Sequence, residues 1–467
     1  MTSTPASPGP PAAPPNPLEL LRRRSYVVLL VFGAILGVPV AVVAYFFLKL
    51  VNEANKYLFS TLPTDLGFKS APAWWPLPLL ALSGLVVALS ILYLPGTGGH
   101  RPAEGFKAGG PVSPIELPGI VLAALGTLCL GAVLGPEAPL IAIGSGLGVL
   151  AVRLLKRDAP AQAVTVIAAA GSFAAISTLL GSPIIGAFLL MEAAGIGGAL
   201  LEVLMVPGLL AAGVGALIFV GLDNLTGFGT FSLAVPNIPH AGSPTGAEFL
   251  WALAIGVLAA LIGTAIRRFA LILQPIVERR MILLMPVLGL AIAGLAIAFG
   301  QATTHGSSQV LFSGENALAP MIQQAATWSA GALVLLVVCK GLAYTLSLSS
   351  FRGGPTFPGL FIGAAGGMAL SHLGGLPMIA GAAMGMGAMS TVMLGLPLTS
   401  VLIATIVLPS DSLALMPLVI VAVVVAYVGT ARLAPEPERA PATPPATPPA
   451  PAPAELPARD SVPAAES

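Results

Sequence analysis

From Leu117 to Val152 the chain carries a single charge, Glu137, in an otherwise apolar, small or neutral run. The pattern is not local, because apolar segments recur from near the N-terminus to about position 431. Several reach the roughly 20 residues that a helix needs to cross a bilayer, and others are markedly shorter. Charged residues make up 8% of the chain, hydrophobic ones 56%, and the mean hydropathy is +0.95. A soluble protein carries about 25% charged residues, so the chain reads as an all-α polytopic membrane protein. The short, Gly/Pro-interrupted segments read as helices that enter the membrane and break inside it. Broken backbone is tolerated there only where it is buried or lines a polar cavity.

A net charge of +1 without a clustered basic stripe sets nucleic acid aside as a partner. Cys129 and Cys339 lie far apart in separate apolar runs and read as buried core residues, not as a disulfide or metal site. No cofactor or metal is expected. Residues 1–17 and 434–467 are Pro/Ala-rich without apolar periodicity and are expected to be disordered. Between them lies a membrane domain, 18–433. Its first segment, "LLRRRSYVVLLVFGAILGVPVAVVAYFFLKLV", is too long for a signal peptide and reads as a retained helix. Its three arginines predict a cytoplasmic N-terminus, and the Ala/Pro-rich style of the chain suggests a bacterial inner membrane.

An internal repeat organises that domain. "GPEAPLIAIGSGLG" at 135–148 is followed, one apolar segment later, by "LLGSPIIGAFLLMEA" at 179–193. In the second half "GGPTFPGLFIGAAGG" at 353–367 is followed at a similar interval by "MLGLPLTSVLIATI" at 393–406. The halves run over about 18–225 and 245–433. Duplicated hydrophobic units are the usual ground plan of secondary transporters, with the site where the halves meet near the midplane.

Helices that start inside the membrane leave their first N–H groups free and carry partial positive charge there, which attracts anions. Three stretches have the Gly and Pro content for such a start: "PGTGGHRPAEG" at 95–105, "GPEAP" at 135–139 and "GGPTFP" at 353–358. Binding by dipoles would admit an anion and still release it. Glu137, at one of these starts, reads either as a structural cap or as a group competing with the anion for the same positive end, and hence as a gate. Glu192, Lys340 and Arg352 divide between structural and functional readings. His100 and Arg101 read mainly as loop residues at the membrane edge.

Taken together, these motifs resemble the CLC family of chloride channels and proton/chloride exchangers over about 25–431. The family's GREGP signature is similar to Gly135, Pro136, Glu137, Ala138 and Pro139. GxFxP resembles Gly353 to Pro358, and GSGIP resembles "GGHRP" from Gly98 to Pro102. The resemblance implies two inverted halves of tilted, partly discontinuous helices and a homodimer with one anion pathway per subunit. It implies Glu137 as the gate, and Gly98, Gly99, Gly135, Pro136, Ala138, Gly354, Thr356 and Phe357 as anion-binding positions. Glu192, Arg352 and His100 are secondary positions.

The departures from the family pattern bear on mechanism. Gly99 or its neighbour stands where the family has a serine, Pro136 replaces an arginine, and Pro355 offers no N–H to an anion. No late tyrosine has a clear equivalent. Where exchangers carry a pair of acids, the chain reads Glu192 and Ala193. That tilts the expectation toward passive conduction of chloride or another small inorganic anion, with proton-coupled antiport as the alternative. Remoter readings are a non-transporting membrane partner, or an intramembrane hydrolase with Ser145 or Ser182 as nucleophile. No histidine shares the run of either serine.

Overall fold

The structure is a computed structural model. It describes residues 22–434 apart from 23, 107–109, 196–198, 228–232, 237–241, 243 and 409–411. The Pro/Ala-rich ends, 1–17 and 435–467, lie outside the described residues. Regular structure among those described is helical. In the first half it comprises α1 Arg24–Lys56, α2 Pro76–Tyr93, α3 Leu117–Leu128, α4 Glu137–Leu155, α5 Ala161–Leu180, α6 Pro183–Ala194 and α7 Ala199–Thr226. The second half comprises α8 Gly246–Glu278, α9 Met281–Ala302, α10 Glu315–Gln323, α11 Ala330–Ser350, α12 Thr356–Ser371, α13 Met378–Leu394, α14 Pro397–Val407 and α15 Ser412–Leu433.

Nine of these segments are long and apolar enough to cross a membrane, and α3, α6, α12, α13 and α14 are shorter apolar helices. The long ones bury one face and leave the other apolar and open. On α8, for example, Ala252, Ile255, Ala259 and Ile266 are buried while Leu250, Val257 and Leu261 are about half exposed. In lipid that outward apolar face costs nothing, so helix association must come from close packing of small residues.

Glycines provide that packing where the halves need it. A Cβ on Gly144 or Gly171 would collide with the other's carbonyl between α4 and α5. The same holds for Gly363 with Gly385, and for Gly367 with Gly381, between α12 and α13. Each hairpin then stops the same way. α5 ends at Gly181 and α13 at Gly395, both at positive φ, and the next helices open on Pro183 and Pro397. The repeat read from the sequence therefore reappears as matched pairs, α4–α5–α6 and α12–α13–α14. The residues leading into α4 and α12 pair antiparallel through Gly135 and Gly354, as a two-fold relation between inverted halves requires.

Candidate functional site

The stretch 134–137 and the stretch 353–356 are buried and meet each other. Gly135 donates to the Gly354 carbonyl at 2.8 Å, and Gly354 donates to the Gly135 carbonyl at 2.6 Å. α4 opens at Glu137 after Pro136, and α12 at Thr356 after Pro355, with no side-chain cap on either helix. The Tyr344 hydroxyl on α11 donates to the Pro355 carbonyl at 2.9 Å and fixes the entry to α12. Both glycines must lack side chains, because a Cβ on either would run into the Glu137 carboxylate.

Glu137 is fully buried. Its Oε1 accepts from the Phe357 N–H at 3.1 Å, so the carboxylate of one half sits on the helix start of the other. Its Oε2 and the Thr356 Oγ1 are buried without a hydrogen-bond partner. An unpaired carboxylate oxygen in such surroundings is costly. The site is thus built for negative charge that the helix starts only partly satisfy.

Two cavities flank this carboxylate. One, of about 440 Å³, is lined by the end of α1 (Asn52, Asn55, Lys56), by Leu134 and Pro136, and by Gln309 to Glu315. The other, of about 200 Å³, is lined by Gly98, Gly99, His100, Glu116, Ala138, Pro139, Arg352 and Gly353. The first reaches Pro136 and the second Ala138, the two chain neighbours of Glu137.

Several expectations are corrected here. "PGTGGHRPAEG" opens no membrane helix; it gives one 3₁₀ turn, Pro102–Glu104, because Gly96, Thr97, Gly98, Gly99 and Gly105 all take positive φ and cannot continue into a right-handed helix. Gly98 and Gly99 line the second cavity as open backbone instead. Gly135 and Gly354 spend their N–H groups on each other, so they join the halves and offer no donor to an anion. Pro136 has no N–H. Ala138 lines the second cavity, while Thr356 and Phe357 hold the donors at the helix start. His100 lines that cavity too, with Nε2 2.6 Å from the Gly105 carbonyl oxygen.

Glu192 lines neither cavity. Its carboxylate accepts from Leu398 N at 2.9 Å, Thr399 N at 2.8 Å and Thr399 Oγ1 at 2.7 Å, and so caps the start of α14. Of its two readings the geometry takes the structural one. Ser145 bonds Val112 N and Gly110 O, and Ser182 caps α6, so both serines are tied to backbone. Neither shows the nucleophile–base pair a hydrolase needs.

Lys340, which the sequence leaves between structural and functional readings, takes the structural one, and Glu315 is a group that sequence reasoning missed. Lys340 is fully buried, and its ammonium donates to the carbonyls of Gln309, Val310, Leu311 and Phe312 at 2.9–3.3 Å, over the Phe361 ring. It holds together the 309–312 segment, which lines the first cavity. Glu315, in the 303–329 connection, lies in that wall. Burial, and secondarily the charge of Glu137, pushes its carboxyl up to about 8. A lone acid in a mixed segment gives no sequence signal; only its place beside Glu137 does.

A family model described as "Voltage gated chloride channel" matches residues 100–430. The "Putative ion-transport protein YfeO" of Salmonella newport is 31% identical over 363 residues, 76% of this chain and 84% of the relative, and that of Salmonella paratyphi A matches to the same extent. Among solved structures, a slow cyanobacterial Cl⁻/H⁺ antiporter superposes with a TM-score of 0.72 at 20% identity, covering 88% of this chain and 95% of its own. A CLC-type fluoride/proton antiporter gives 0.61 at 19%, covering 86% and 95%. The fold is therefore the CLC fold, and the chain belongs to the CLC family of chloride channels and ion-coupled exchangers.

Proposed function

We propose that the protein conducts chloride or another small anion across the membrane, along the line joining the two cavities, with Glu137 as the gate. The observation that carries this is the Glu137 carboxylate at the junction of the halves, its chain neighbours lining one cavity each, accepting from one helix start while its second oxygen is unpaired. An anion approaching Phe357 N and Thr356 must displace that carboxylate. Protonation of Glu137 removes the competing charge and opens the path.

Passive conduction is the primary reading, because Glu192 is committed to capping α14 and Ala193 brings no carboxyl. A second reading, proton-coupled antiport, is supported by Glu315, an acid in the wall of the first cavity whose carboxyl burial pushes up to about 8. Purified protein in chloride-loaded liposomes separates the two when anion efflux and internal pH are recorded together. Efflux without proton movement is the expected result. Stoichiometric proton movement against its gradient would replace conduction by exchange, and no flux with chloride, fluoride or nitrate would sink transport altogether.

The cytoplasmic N-terminus is supported by charge placement. Arg101 pairs with Glu278, Ser145 on α4 bonds the 110–112 segment, and Arg268 donates to the Leu433 carbonyl, which brings Arg101, Arg153, Lys156, Arg157, Arg279, Arg280 and Arg432 toward one side. Lys56, Lys69 and Glu315 belong to the other. Positive charge marks the cytoplasmic face of a cell membrane, so the cavity holding Glu315 opens outward. As in the family, the working unit is a homodimer with a pathway in each subunit.

A further inference from the structure

A groove of about 270 Å³ runs between α8, α11 and α12 and touches none of the residues of the candidate pathway. Residues 255–262 of α8 and 334–338 of α11 form its walls, and residues 362–370 of α12 form its floor together with Gly385 and Met389 of α13. The run "GAAGG" at 363–367 makes this floor low. Gly363 and Gly367 press against Gly385 and Gly381 on the α13 side. Gly366 looks the other way, and a Cβ on it would have Val337 Cγ2, at 3.9 Å, as its one close neighbour. The same glycines that bring α12 onto α13 thus leave room between α12 and α11.

Three observations say what fits there. Every residue lining the groove is apolar or glycine, so water would find no side-chain partner in it. Its rim residues Leu258, Ile262, Val334 and Val338 are 38–53% exposed on two helices that cross the membrane, so it opens sideways to lipid. A partner helix is too thick, since about 12 Å of a helix 10 Å across fills on the order of 900 Å³. One end carries aromatic residues. Trp251 stands one turn before Ile255 on α8, and a Cβ on Gly375 would lie 3.8 Å from its Nε1. His372, at the end of α12, has Nε2 3.1 Å from the Trp328 carbonyl oxygen. Tryptophan collects at the membrane–water interface, so this end lies at head-group level and the other, at Ile262, Ile362 and Met389, points to the midplane. The groove therefore follows one leaflet inward for about 12 Å, the rise of α12 from 362 to 370.

We propose that the groove is a lipid site that holds one acyl chain of a phospholipid, with the head group at the level of Trp251 and Trp328 and the chain lying over Gly366. The chain supplies the dispersion contacts that no side chain of α8 or α11 makes with this stretch of α12, and so braces α12 against both. α12 is the helix whose first turn donates to Glu137. The site itself needs only the fold and a bilayer, and neither anion flux nor the charge of Glu137 enters the argument for it.

The test uses the full-length protein in phosphatidylcholine liposomes doped with a phosphatidylcholine that carries a photoreactive diazirine midway along one chain. After irradiation the labelled residues are mapped by mass spectrometry. Label is expected on the floor, at Ile362, Gly366 and Met389, as densely as on the lipid-facing Ile35 and Val287, although Ile362 and Met389 are buried. Gly366→Leu fills the groove from its floor, and Val338→Phe closes its rim from the lipid side. Each should cut the floor label about tenfold or more by taking the chain's space, while Ile35 and Val287 change less than about twofold. The bracing is read in detergent, where added phosphatidylcholine should raise the melting temperature of the wild type more than that of Gly366→Leu. A floor without label, a floor label that survives both variants, or an equal rise in melting temperature would overturn the proposal. If Gly366→Leu does not fold, Val338→Phe, altered on an exposed face, decides both readings. The expected labelling in a protein that moves no anion would keep this site and remove the transport function, and flux with an unlabelled floor would do the reverse.

Discussion

In the proposed function Glu137 occupies the place an anion would take, and the cost of its unpaired oxygen favours its displacement. Replacing it by Gln removes the charge and keeps the shape, so chloride flux in liposomes should become independent of pH between 5 and 8; a preserved pH profile would assign the gate elsewhere. Glu315 sets a second pH limit. With its carboxyl raised to about 8, it is mostly neutral at pH 7 and gains a negative charge in the first cavity as pH rises through that value. Anion flux is therefore expected to fall above about pH 8, and Glu315→Gln should abolish that fall. Lys340 acts on stability. Lys340→Met leaves four buried carbonyls without a donor and should destabilise the protein by about 3 kcal/mol, seen as a lowered melting temperature in detergent.

At the scale of elements, the hairpins α4–α5 and α12–α13 depend on glycine contacts. In lipid there is no aqueous driving force to offset a lost fit, and overpacking costs about 1–3 kcal/mol even in soluble cores. Gly363→Val, which would push a branched side chain into the Gly385 carbonyl, should reduce the yield of monodisperse protein sharply, while Gly294→Val, with open space around it, should not. α14 is shorter and relies on its cap. Glu192→Ala should lower thermal stability by about 1 kcal/mol without changing the ratio of proton to anion movement. A changed ratio would return Glu192 to the proton pathway.

For the whole molecule, what matters is that the two chain neighbours of one carboxylate line different cavities beside the Gly135–Gly354 junction. The proposed sidedness is checked by single cysteines at two exposed positions, Lys69→Cys and Arg157→Cys, in a background where the native Cys129 and Cys339 are buried. A membrane-impermeant thiol reagent added to intact cells should label position 69 and spare 157. The reverse pattern would invert the protein and the cavities with it.

The sequence by itself determined the membrane class, the duplicated plan and the importance of Glu137, because hydrophobicity, Gly/Pro punctuation and an isolated charge are local properties that any folding of the chain must respect. It also placed Pro136 and Pro355 at helix starts, where a missing N–H is harmless. Tertiary structure alone decided what each polar group faces. Glu192 meets Leu398 and Thr399 across some 200 residues of chain, Glu137 meets Phe357, and Gly135 consumes the donor of Gly354. Glu315 and Arg352 acquire meaning only from the cavities they enter. The physical reason is that hydrogen bonding and electrostatics act over a few ångströms in space, and which distant residues come that close is set by how glycine-faced helices pack, not by spacing along the chain.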